Sequence, residues 1–97
     1  MRYSEDMKKI VLFYIEDCPY CLSARKAITE LKTEYPPYTK LLIQRIDENA
    51  HPEIAEQYDY YHVPAFFVDG KKAYECSPSD SYKTIKENVK KVLDAAL

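Results

Sequence analysis

The sequence contains a single glycine, Gly70, in 97 residues, and no Gly/Ser linker, repeat or low-complexity tract. Its segments must therefore be read from proline and hydrophobic period, and residues 1–97 are read as one domain. No stretch approaches the roughly 20 consecutive apolar residues of a membrane-spanning helix. A cationic excess is missing too, since 14 Lys and Arg stand against 16 Asp and Glu, for a formal net charge of −2. Nucleic acid and anionic membrane are accordingly not expected as partners, because either favours a strongly basic surface. Three cysteines are too few, and odd in number, for a disulfide scaffold. Met1 to Met7 lack the basic start and apolar run of a secretory signal, so a cytoplasmic location is expected. In that compartment a close cysteine pair points to redox chemistry or metal rather than to a structural cross-link. What is present, 46% hydrophobic and 31% charged residues, is the balance of a soluble globular domain. A chain of this size buries roughly 60 to 70% of its unfolded surface and can hold a core without staples.

Lys8 to Ile15 is a continuous apolar, β-branched and aromatic run, too short for a helix, and reads as a central strand covered on both faces. From Pro19 to Tyr35, Cys21, Ala24, Ile28, Leu31 and Tyr35 recur at spacings of three and four, the buried stripe of an amphipathic helix. Tyr35-Pro36-Pro37-Tyr38 ends it. Leu41 to Ile46 reads as a second strand, followed by a short helix starting near Pro52 with Ile54, Ala55 and Tyr58 on its inner side. Ala65 to Val68, Asp69-Gly70 and Lys72 to Glu75 read as a hairpin with a two-residue turn. A last helix is expected from Ser77-Pro78-Ser79-Asp80, with Tyr82, Ile85, Val89, Val92 and Ala96 buried. This order predicts an α/β fold, βαβ-α-ββα, with a four-stranded mixed sheet and helices on both faces.

Cys18-Pro19-Tyr20-Cys21 falls where the first strand ends and the first helix begins. Cys18 is then near the N-cap, where unpaired N–H groups favour a thiolate and a lowered pKa. Cys21, one turn inside, is within reach of a disulfide. The expected chemistry is attack by Cys18 on a substrate disulfide, then resolution of the mixed disulfide by Cys21. Pro19 stiffens the turn where its missing N–H costs nothing. The competing reading of the pair is half a zinc or iron–sulfur site in a non-catalytic module. Its further ligands would have to come from Cys76, His51 and His62, which lie singly in three segments. His62-Val63-Pro64-Ala65 is a second constellation. Pro64 either opens an edge strand, or follows a cis bond that sets the backbone of Val63 beside the cysteines to pair with an extended substrate.

In this order the strand, Cys18-Pro19-Tyr20-Cys21, the helix, Ile46-Asp47-Glu48-Asn49, Val63-Pro64 and Phe66 to Lys71 resemble the thioredoxin-fold superfamily, from about Lys8 to Leu93. Residues before Lys8 are read as a short N-terminal extension. The resemblance implies a thiol:disulfide oxidoreductase with Cys18 as nucleophile, Cys21 as resolving thiol and Pro64 as the cis-proline. It further implies substrate contacts at Pro19, Tyr20, Val63 and Pro64, disulfide-containing protein or small-molecule substrates, and no cofactor or metal. The electron donor is then either a thioredoxin-reductase-like protein or glutathione.

The tetrapeptide is of the dithiol glutaredoxin type, whereas Ile46 to Tyr58 and the Asp69-Gly70 hairpin are more similar to thioredoxin. Ile15 stands where glutaredoxins commonly carry lysine, and Tyr74-Glu75 where they carry a Gly-Gly pair. Glu16, Asp17 and Glu75 are therefore expected to weaken binding of anionic glutathione, and the flanking acids to oppose the thiolate and favour a reducing couple. The thioredoxin pattern is also incomplete, with Asp17 in place of its usual tryptophan and Leu12 in place of its buried aspartate.

Cys76 is either a regulatory thiol near the redox face or a small buried apolar side chain. His62 either assists proton transfer or is a surface histidine. Of the ten tyrosines, Tyr14, Tyr35, Tyr58 and Tyr82 are assigned to buried faces, and Tyr20, Tyr60 and Tyr61 to an apolar platform near the cysteines.

Overall fold

The computed structural model describes residues 7–97. Most of the N-terminal extension expected before Lys8 thus lies outside the described residues. Among the described residues there are four strands: β1 (Ile10–Tyr14), β2 (Ile43–Asp47), β3 (Ala65–Val68) and β4 (Lys71–Glu75). Three α-helices accompany them: α1 (Pro19–Glu34), α2 (Pro52–Ala55) and α3 (Tyr82–Ala96). The sheet order is β2-β1-β3-β4; β1 runs parallel to β2 and antiparallel to β3, and β3 is antiparallel to β4.

The central place of β1 follows from its composition, because a strand without a polar face must be covered twice. Ile10 and Leu12 pack with Ala24, Ile28 and Leu31 of α1 and with Ile85, Val89 and Leu93 of α3. Val11 and Phe13 point the other way, into a smaller core with Ile46, Ala65 and Phe67, covered by Ile54, Ala55, Tyr58 and Tyr60. Helices therefore lie on both faces, as the α/β reading expects. The hairpin turn is formed by Asp69 at φ 51° and Gly70 at φ 83°, since Val68 pairs with Lys71. Two consecutive positive φ values are what a tight turn matching the strand twist requires.

Three boundaries differ from the sequence expectation. The segment after α1 does not run straight into a strand: Pro36–Lys40 form a 3₁₀ turn that buries Tyr38, whose hydroxyl donates to the Asp94 carboxylate of α3. β2 consequently starts at Ile43 rather than Leu41. Tyr35, expected on the buried stripe, is the C-cap of α1, half exposed, with its ring against Tyr38. The last helix begins at Tyr82, not at Ser77. Asp80 turns its carboxylate backwards to accept from the Ser77 N–H at 3.0 Å and the Tyr74 hydroxyl at 2.7 Å, closing a turn. Ser81 is then the true N-cap, its Oγ accepting from Thr84 N at 3.2 Å. Tyr82 is half-buried rather than fully buried, donating its hydroxyl to Glu30 at 2.7 Å and tying α3 to α1.

Candidate functional site

The site lies at the end of β1 where the chain turns into α1. Asp17 takes a positive φ of 59°, and Cys18 follows in extended conformation as the N-cap of α1, with Pro19 in the first turn. The Cys18 sulfur accepts a hydrogen bond from the Cys21 N–H at 3.2 Å, so one of the orphan donors of the helix start is aimed at the thiol. Both sulfurs are shielded, Cys18 being 8% and Cys21 5% exposed, and all three cysteines of the chain are free thiols.

Cys21 has its pKa pushed up to about 12, chiefly by burial and then by the hydrogen bond with the Cys18 side chain. It is a protonated thiol at neutral pH and must lose its proton to act as a nucleophile. A raised pKa is also a stability statement: the folded chain holds this proton more tightly than the unfolded chain does. The stabilisation is complete below the ordinary thiol value of 9.0 and is lost as pH rises toward about 12. We therefore expect the stability advantage of the reduced protein over its Cys21→Ala variant to shrink as the pH rises above about 9. Urea unfolding of both proteins under anaerobic reducing conditions measures it, and tyrosine ionisation cancels in the difference.

The Val63–Pro64 bond is cis, and Pro64 is buried. Pro64 and Cys21 line one cavity of about 190 Å³ together with Leu12, Tyr14, Glu16, Arg25 and Arg45. A neighbouring cavity of about 150 Å³ opens on Cys18 and is lined also by Ile15, Glu16, Asp17 and Leu22. The two separate sequence constellations are thus brought together. Arg25 and Arg45 belong to neither constellation in the sequence. The available signal was a break in period: Arg45 sits in register with Leu12, on the sheet face where β2 otherwise presents Ile43.

The remaining residues take the following places. Pro19 is exposed at the start of α1. Tyr20 is half-buried, its ring against the α1/α3 core and its hydroxyl donating to the Pro78 carbonyl at 2.5 Å. Tyr60 stacks on Phe13 with ring centres 4.9 Å apart and donates to Glu48 at 2.6 Å. Tyr61 is the platform residue that faces solvent, 86% exposed, and His62 is exposed beside it. Cys76 is buried, as the apolar reading expects, and its N–H donates to the Pro64 carbonyl at 3.0 Å. Burial pushes its thiol pKa upward. Among the described residues no three His, Cys, Asp or Glu side chains gather as a ligand set for a metal ion.

Glu75 does not behave as the repelling charge the sequence suggested. Its carboxylate accepts from the backbone N–H of Tyr61 at 3.0 Å and of His62 at 2.9 Å, and pairs with Lys72 Nζ at 2.8 Å. Burial opposes its ionisation, but these three donors overcome it and hold the carboxyl below its usual range. No sequence signal reports this, because the partners lie 13 and 14 residues away across a loop.

The chain is similar to known proteins over nearly its whole length. Residues 2–91 match the family model described as Thioredoxin. The structure resembles the germline-specific thioredoxin Deadhead of Drosophila melanogaster with a TM-score of 0.65 at 17% identity, covering 97% of this chain and 85% of that one. It also resembles the oxidised thioredoxin of Plasmodium falciparum, with a TM-score of 0.63 at 21% identity and coverages of 97% and 86%. For mitochondrial thioredoxin 3 of Saccharomyces cerevisiae the TM-score is 0.58 at 21% identity, with coverages of 87% and 77%. No curated protein sequence compared with it matches. A thiol pair at a helix start beside a cis-proline, in this fold and under this family model, places the chain in the thioredoxin family, as a thiol–disulfide oxidoreductase.

Proposed function

We propose that the protein reduces disulfides, chiefly of proteins, by dithiol exchange through Cys18 and Cys21. The observation that carries this reading is the Cys18 sulfur at the N-cap of α1, bonded by the Cys21 N–H, with Cys21 and the cis Pro64 lining one cavity. The Cys18 thiolate attacks one sulfur of the substrate disulfide, forming a mixed disulfide and expelling a substrate thiolate that takes up a proton. Cys21 loses its proton and attacks the Cys18 sulfur, releasing the second substrate thiol. Two electrons have then passed to substrate, and Cys18 and Cys21 are left as a disulfide. Val63 and Pro64, with Pro19 and Tyr20 at the helix start, form the proposed contact surface, an extended substrate segment pairing with the backbone of Val63.

The donor we assign is a protein of the thioredoxin-reductase kind rather than glutathione, in a reducing compartment such as the cytoplasm. The cavity at Cys18 is lined by one cation, Arg25, against two acids, Glu16 and Asp17, with Ile15 beside them, so it offers an anionic tripeptide no net positive charge. Glu75 contributes little to this discrimination, being paired with Lys72. In a paired turnover assay on one mixed-disulfide substrate, the reductase arm is expected to outpace glutathione plus its reductase. Ile15→Lys is expected to raise the glutathione arm by up to about fivefold, the worth of one exposed charge pair. Faster turnover of the unmodified protein with glutathione, unaltered by Ile15→Lys, would refute the donor assignment.

A further inference from the structure

The segment between α2 and β3 brings the chain to Pro64 without regular secondary structure. It is held at three places. Tyr60 is anchored by its ring on Phe13 and its hydroxyl on Glu48. The Pro64 carbonyl accepts from the Cys76 N–H. Between these, Tyr61 and His62 expose their side chains and so cannot fix the backbone by packing. Their two consecutive N–H groups instead converge on one carboxylate oxygen, Oε2 of Glu75, at 3.0 and 2.9 Å. The other oxygen takes Lys72 Nζ at 2.8 Å, which leaves the carboxylate oriented and neutralised. Successive backbone N–H groups closing on an anion form a concave cradle, here filled by the protein's own side chain.

The carboxylate is itself well placed to act as a rigid reference. Glu75 pairs with Ala65 across the β3–β4 ladder, directly after Pro64, and its side chain is only 15% exposed. Hydrogen bonds to a charged acceptor are stronger than neutral ones and are more directional than a packing contact. The end of β4 therefore grips both sides of Val63: Glu75 through the residues before it, and Cys76 through the residue after it.

We propose that Glu75 is a positioning residue for substrate recognition, an internal anion that sets the backbone of Val63 beside Cys18 and Cys21. This rests on the proposed reading that Val63 and Pro64 contact an extended substrate. Glu75 touches no reacting atom, so it acts on capture of a protein disulfide and not on the thiol exchange itself.

The test compares Glu75→Ala, which removes the cradle's anion, with Glu75→Gln, which keeps an acceptor oxygen. For a protein disulfide, Glu75→Ala is expected to raise KM roughly tenfold, the loss of a charge-assisted hydrogen bond, with kcat held within about twofold. Reaction of Cys18 with a small aromatic disulfide, which needs no backbone pairing, is expected to stay within about twofold of the unmodified protein. Glu75→Gln, which keeps a neutral acceptor without the charge, is expected to recover about half of the loss on a logarithmic scale. Amide hydrogen exchange supplies a readout independent of activity: the Tyr61 and His62 amides are expected to exchange faster in Glu75→Ala while those of β1 do not. Unchanged exchange at these two amides, or equal losses for the protein and small disulfides, would overturn the positioning role. A Cys18 that fails to react with the small disulfide in the unmodified protein would instead overturn the oxidoreductase reading on which the role rests.

Discussion

Replacing Cys18 by serine is expected to reduce insulin disulfide reduction to background, a loss of several orders of magnitude, while leaving the fold and its melting temperature nearly unchanged. A hydroxyl at the N-cap still accepts the helix N–H, so the local structure has no reason to fail. The nucleophile is lost, because a serine hydroxyl with no adjacent base stays protonated at neutral pH. Cys21→Ser should behave differently. Cys18 can still attack, but with no resolving thiol the mixed disulfide accumulates, giving one rapid event per molecule and no turnover. Equal activity in Cys18→Ser and the unmodified protein would remove the nucleophile from this position. Free turnover in Cys21→Ser would show that another thiol resolves, and buried Cys76 is then the candidate.

The second large effect concerns the smaller core. Phe13 is fully buried, with ring centres 4.8 Å from Tyr58, 4.9 Å from Tyr60 and 5.9 Å from Phe67. Truncating it removes the wall that both α2 and the segment leading to Pro64 lean on. Phe13→Ala is expected to cost about 3–5 kcal/mol, transfer and cavity terms together, against a total stability of about 5–15 kcal/mol for a domain of this kind. The melting temperature should fall by at least about 12 °C. Leu42, 67% exposed at the approach to β2, is the control: Leu42→Ala should move stability by less than about 0.5 kcal/mol. Urea unfolding of the three proteins decides this. A loss below about 1 kcal/mol for Phe13→Ala would mean that the aromatic cluster carries little of the fold's stability. Because Tyr60 stacks on Phe13, turnover of a protein disulfide should fall in Phe13→Ala even at temperatures where it remains folded.

The features legible in the sequence are those whose cause is local. The uninterrupted apolar run of Lys8 to Ile15 specified a strand covered twice, and β1 is that strand. Asp69-Gly70 between two short strands specified a two-residue turn, and the cysteine pair at a strand-to-helix junction specified the N-cap geometry of Cys18. What escaped was decided by partners distant in sequence. Ser77-Pro78 has the composition of a helix start, yet Asp80 is drawn back to Tyr74 and Ser77, so the helix waits for Ser81. Tyr38 closes the segment whose double proline ends the first helix, but it finds Asp94 on α3 and a 3₁₀ turn forms to bury it. Glu75 read as a surface charge near the cysteines because its real partners, two backbone N–H groups, carry no side-chain signature at all. Arg45 lies within the segment read as the second strand and carries no motif, and only its register with Leu12 and the cavity lining place it beside Cys21.

The proposed exchange can be read directly from the thiols. The reduced protein is mixed anaerobically with one equivalent of a disulfide substrate, quenched in acid, unfolded, alkylated and mapped by mass spectrometry. The account predicts that two hydrogens are lost from the peptide holding Cys18 and Cys21, that these two cysteines are linked to each other, and that Cys76 is recovered alkylated. Recovery of Cys18 and Cys21 as alkylated thiols after the substrate has been reduced, or of Cys76 in the new disulfide, would contradict it.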